Sequence, residues 1–162
     1  MSTQPKTFLT PEQYLEIERK AECKSEYHQG EMFAMAEATR EHVVLAVRLA
    51  SELDQRLRKR SCQVYNSDMR VRVGTAGLYT YPDVTVVCGE PRFEVEQYRS
   101  IDSLAEYLLV ASDRVHVDLF RRQADGRWVL QEASRREDAV ELASIGCRLQ
   151  LHDLYEKLDQ VV

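Results

Sequence analysis

The sequence has no apolar run near the roughly 20 residues that a membrane-spanning helix needs. Residues Met1 to Lys6 are polar, and no apolar stretch behind them could act as a secretory signal, so the default compartment is the cytoplasm and no membrane partner is expected. Cysteine is scarce. Cys23, Cys62, Cys88 and Cys147 form no C-x-x-C pair, and their wide spacing fits reduced, mostly buried thiols better than a disulfide framework or a zinc site. His28, His42, His116 and His152 are equally scattered, with no H-x-x-x-H pair to build a metal site on one helix face. Repeats, low-complexity stretches and Gly-, Pro- or Ser-rich linkers are missing, as are a nucleotide-binding loop, a haem motif and a nucleophilic triad. Excess positive charge is also lacking. A net charge of −5 argues against a general nucleic-acid coat protein, although a nuclease needs only a local basic lining.

What is present suits one globular domain. The 162 residues are 44% apolar and 30% charged, enough for one core and too short for two ordinary domains. Local basic clusters stand at Arg56 to Arg60, at Arg70 and Arg72, and at Arg121-Arg122.

Thr10-Pro11-Glu12-Gln13 opens a helix: Thr10 caps, Pro11 suits the first helical position and Gln13 completes a capping box. Tyr14, Leu15 and Ile17 give it an apolar side, and it is expected to fade near Cys23. Glu26 to Ala36 reads as a hairpin turning at Gln29-Gly30. A long helix follows from near Arg40 to Arg60, with Val43, Val47, Ala50, Leu53 and Leu57 as its expected buried stripe and a basic last turn that suits the helix dipole. Cys62 to Val73 alternates as a strand, Gly74 to Gly77 turns the chain, and Asp83 to Cys88 is a short β-branched run of the buried-strand kind. A helix is expected over Val95 to Leu104, then strands at Glu106 to Ala111, Val115 to Arg122 and Trp128 to Ala133, with Asp125-Gly126 as a hairpin turn. Val140 to Leu142 adds a further short strand, and Leu151 to Leu158 a terminal helix. The order of elements implies an α/β (α+β) domain, a mixed sheet flanked by helices.

The chemistry-bearing feature is Tyr81-Pro82-Asp83-Val84. Pro82 suits the first position of a strand because it has no amide hydrogen, and Asp83 then opens an apolar strand at the sheet rim. A carboxylate there could hold Mg²⁺, which prefers oxygen ligands; the plainer reading is a turn cap or an arginine partner. Asp68 and Arg70 would approach Asp83 if the two strands pair antiparallel, or form a surface ion pair. Glu26, with Gly30 and Glu31, shapes the hairpin or supports the site. His42, in the first turn of the long helix, contacts a phosphate or carboxylate or is an ordinary polar residue.

Several stretches together carry a resemblance: Lys24-Ser25-Glu26-Tyr27-His28-Gln29-Gly30-Glu31, Thr39-Arg40-Glu41-His42, Ser67-Asp68-Met69-Arg70-Val71, Tyr81-Pro82-Asp83-Val84 and Glu106-Tyr107-Leu108-Leu109-Val110. In order and spacing the chain resembles the Uma family of restriction-endonuclease-like proteins, within the PD-(D/E)XK nuclease superfamily. The resemblance implies a nuclease core sheet, Mg²⁺ or Mn²⁺ as cofactor, DNA as partner, and Asp83 as the first acidic metal ligand. The metal would stabilise phosphate charge and lower the pKa of its water. Glu26 and His42 are the supporting site residues, with Asp68 as a further candidate. The family's next strand, its second acidic residue and its lysine have no counterpart after Cys88. No lysine stands between Lys59 and Lys157, and Arg92 cannot replace one as a base because its pKa is too high. Glu94 or Glu96 could supply a carboxylate. The gap in the sheet would be closed by direct pairing of its neighbours or by a partner chain, as in a homodimer, or the chain is a shortened form of a gene product whose relatives are complete. Two readings therefore stand: a Mg²⁺-dependent endonuclease, and a catalytically inactive binding protein on a nuclease scaffold.

Overall fold

The computed structural model describes residues 8–73, 78–89 and 104–158. The expected turn at 74–77 and all but the last residue of the helix expected over 95–104 lie outside these residues, as do Arg92, Glu94 and Glu96. The chain divides into two compact units: residues 1–37, 67–82 and 92–103, and residues 38–66, 83–91 and 104–162.

In the first unit, helix α1 (Pro11–Glu18) starts on the capping box its sequence encodes. The Gln13 amide donates to Thr10 Oγ1 at 3.3 Å, and the Thr10 amide donates to Gln13 Oε1 at 2.8 Å. The helix ends short of Cys23, and its inner face differs from expectation. Tyr14 and Leu15 are buried, but Ile17 is exposed and Glu18 is buried instead. Residue 18 lies four positions after Tyr14, on the same face of the helix. Strands β1 (Ser25–His28) and β2 (Glu31–Ala34) form the expected hairpin. Gln29 and Gly30 both have positive φ, 48° and 92°, as the tight two-residue turn demands. Strands β4 (Val71–Val73) and β5 (Leu78–Thr80) complete a sheet of order β2-β1-β5-β4. Its core is aromatic: the Tyr14 ring lies 5.0 Å from Tyr27 and 5.3 Å from Tyr79, with Leu9 and Met32 alongside.

The second unit is built on helix α2 (Arg40–Leu57), whose Thr39 cap accepts from the His42 amide at 3.3 Å. Leu45, Leu53 and Leu57 are its buried residues, with Leu49 packed against the core. The expected stripe is therefore corrected in its first half: Val43 and Val47 are 50% and 64% exposed. The helix carries two apolar rows, and the leucines at spacing four are the ones that dock. Strands β3 (Cys62–Asn66) and β6 (Val84–Cys88) pair antiparallel. The single strand expected over 62–73 is broken by a turn at Ser67-Asp68, after which the chain enters the first unit as β4. Cys62 and Cys88 are register partners and form a disulfide, so the expectation of reduced thiols is corrected for these two. Cys23 is a free exposed thiol and Cys147 a free buried one.

Strands β7 (Glu106–Val110), β8 (Val117–Arg122) and β9 (Trp128–Ala133) form an antiparallel meander, with the β8–β9 turn at Asp125-Gly126 as the sequence implies. Val117, Leu119 and Ala133 bury one face, while Tyr107, Leu109, Trp128 and Leu130 on the other are 40–48% exposed. Strand β10 (Ala139–Leu142), β11 (Cys147–Gln150) and helix α3 (Leu151–Leu154) close the unit. Glu106, with its side chain only 6% exposed, ties the meander to the β10–β11 turn. It accepts from Arg121 Nε at 2.8 Å and from the Ala143 and Ser144 amides at 3.1 and 3.0 Å. Burial alone would raise its pKa. The Ser144 hydroxyl, the Arg121 guanidinium and the two amides outweigh that and hold it below the usual carboxylate range. Every pairing among the described residues is antiparallel, and the chain is α+β as expected. No helix among them is long and apolar enough to cross a membrane.

Candidate active site

Asp83 stands immediately before β6, where Pro82 ends the preceding segment. His42 stands in the first turn of α2. The two are 41 residues apart in sequence and joined in the second unit, His42 Nε2 lying 2.9 Å from Asp83 Oδ1. Both side chains reach solvent, at 39% and 52% exposure. The helix start places fixed partial positive charge near the imidazole, which favours carboxylate or phosphate there.

The other named residues belong to the first unit. Glu26 lies on β1 and accepts a hydrogen bond from the Thr80 hydroxyl on β5. Asp68 lies in the turn after β3 and pairs with Lys24, which also donates to the Ser67 carbonyl at 3.0 Å. The expectation that Asp68 stands on a strand is corrected: β3 stops at Asn66, whose register partner is Val84, and Asp68 lies in the turn that follows. The Lys24 ammonium also sits 5.4 Å from the Tyr81 ring centre. Tyr81 donates to Glu18 at 2.9 Å, and burial followed by that bond raises the phenol pKa.

Among the described residues, the pair is incomplete as a metal centre. Asp83 offers a hard oxygen and His42 a nitrogen, but the one group of three donors among the described residues is elsewhere in the second unit, at His116, Asp118 and Glu132. That group went unnoticed in the sequence, although His116-Val117-Asp118 at strand spacing was a visible signal.

Residues 11–101 match the family described as "Uma2: Putative restriction endonuclease". The chain belongs to the Uma2 family. Two Synechocystis relatives, the uncharacterized proteins slr1290 and sll1609, are 30% and 28% identical. Each alignment spans 93% of the relative; they cover 93% and 83% of this chain. The first runs over 177 positions, more than the 162 residues here, so that relative carries residues with no counterpart in this chain. The crystal structure of "a putative nuclease belonging to DUF820" from Anabaena variabilis superposes with a TM-score of 0.72. It is 16% identical, and the match covers 91% of this chain and 97% of the other. That likeness shows a shared fold.

Proposed function

We propose that this Uma2 protein acts on the phosphodiester backbone of DNA as a Mg²⁺- or Mn²⁺-dependent endonuclease, with Asp83 as the site carboxylate and His42 as its positioning residue. The observation that carries this reading is the Asp83–His42 bond at the start of β6, in a family whose description reads "Putative restriction endonuclease". The His42 ring, bonded to Asp83 through Nε2, would hold the carboxylate's orientation, while the helix start favours the phosphate charge. A bound ion would supply charge neutralisation and an acidified water. Among the described residues the donors do not complete such a site, because no third ligand joins Asp83 and His42.

That shortfall favours a second reading, a catalytically inactive nuclease scaffold that binds DNA or a second copy of itself. One carboxylate without the family's lysine is a weak hydrolytic centre, since loss of one member of a catalytic set commonly costs orders of magnitude in rate. Plasmid cleavage with Mg²⁺ or Mn²⁺ separates the two. Under the first reading the wild-type chain nicks DNA, Asp83→Ala loses at least about a hundredfold in rate, and Glu26→Gln measures any part that Glu26 plays. Folded wild-type protein that leaves the plasmid intact at every metal concentration gives the case to the binding scaffold.

A further inference from the structure

We propose that His116, Asp118 and Glu132 form a binding site for a divalent transition-metal ion, Zn²⁺ above all, separate from the Asp83–His42 pair. Their ligand atoms all lie within 4.8 Å of one another. The sheet assembles them. His116 and Asp118 are two residues apart along β8 and its entry, so they share a face, with His116 Nε2 at 2.9 Å from Asp118 Oδ1. Asp118 and Glu132 are direct cross-strand partners in the β8–β9 register.

That register is itself informative. Two carboxylates directly opposed across an antiparallel pair repel one another, and the ladder forms only if other contacts or a cation offset the cost. Asp118 is only 24% exposed, so water screens its charge less than at an open surface, while Glu132 reaches solvent. The backbone beneath the cluster is held firmly. The Tyr155 hydroxyl, on a fully buried ring, lies 2.9 Å from the His116 carbonyl and accepts from the His116 amide at 3.3 Å. The His116 carbonyl also accepts from the Ala111 amide at 3.0 Å. A rigid frame of this kind lowers the cost of gathering ligands.

The donor set selects the metal class. One imidazole and two carboxylates suit Zn²⁺ and its first-row neighbours, whereas Mg²⁺ prefers oxygen alone and several waters. Metal–ligand bonds of roughly 2.0–2.2 Å in a tetrahedron put donors roughly 3.4 Å apart. Small rotamer adjustments would bring the cluster to that spacing, with a fourth position left to water.

Isothermal titration of Zn²⁺ into the full chain tests this, run in a Cys23→Ser, Asp83→Ala background that removes an exposed thiol and the other candidate ligand. The expected result is saturable binding at one site, weakened at least about tenfold by His116→Ala or Asp118→Asn and unchanged by His152→Ala. Circular dichroism on each variant confirms the fold. Glu132→Gln supplies a readout that does not depend on the titration. It should raise the melting temperature of metal-free protein by removing the repulsion, and reduce the further rise that Zn²⁺ gives. No saturable binding, or binding indifferent to His116→Ala, overturns the proposal and leaves the three side chains as a polar group on the sheet face.

Discussion

Glu18 shows how a single side chain can defeat a reading of hydropathy. The apolar positions Tyr14, Leu15 and Ile17 were legible, yet the face that docks is Tyr14, Leu15 and Glu18. Helix geometry puts residue 18 over residue 14, and the carboxylate is acceptable there because Tyr81 and the Ser25 amide donate to it at 2.9 and 3.0 Å. Those partners come from distant chain segments, so the helix sequence alone could not reveal them. Glu18→Ala should cost about 3 kcal/mol, since the donors lose a charged acceptor in a buried place; urea denaturation followed by circular dichroism measures it. The same limit applied at the candidate site. Asp83 and His42 were each identifiable from local context, but their hydrogen bond joins residues 41 positions apart.

Among the elements, β7 to β9 were readable because alternation, β-branched residues and an Asp-Gly turn agree with one another. The stretch from Cys62 to Val73 was misread as one strand because alternation continues through a turn that Ser67 and Asp68 make. Helix α2 poses the choice between its two apolar rows, which periodicity leaves open and the opposing strands decide. Leu53, 3% exposed, should lose about 2–5 kcal/mol as Leu53→Ala, whereas Val47→Ser should stay within about 0.5 kcal/mol. Chemical denaturation of both variants decides whether the rows are assigned correctly.

Across the whole molecule, pH dependence follows from Glu106. Its pKa is lowered in the folded state, so its stabilising contribution is complete above the unfolded carboxyl value of roughly 4.3 and is lost as pH falls through the lower folded value. Glu106→Gln should therefore melt earlier than wild type at neutral pH, by about 2 kcal/mol in stability, and the gap should close in acid. Melting curves from about pH 7 down to about pH 3 show this directly. The division into units has a consequence of another kind. Each is assembled from separated lengths of chain, and the stretch that matches Uma2, residues 11–101, stops before β7. Leu45, Leu53 and Leu57 lie inside that stretch, while Val117, Leu119, Leu149 and Tyr155, which share their core, lie beyond it. The hallmark by which the lineage is recognised is thus not a portable cassette. Excised alone, it would leave the leucine row of α2 without the C-terminal residues that cover it, so the recognised stretch depends on the strands beyond it for its core.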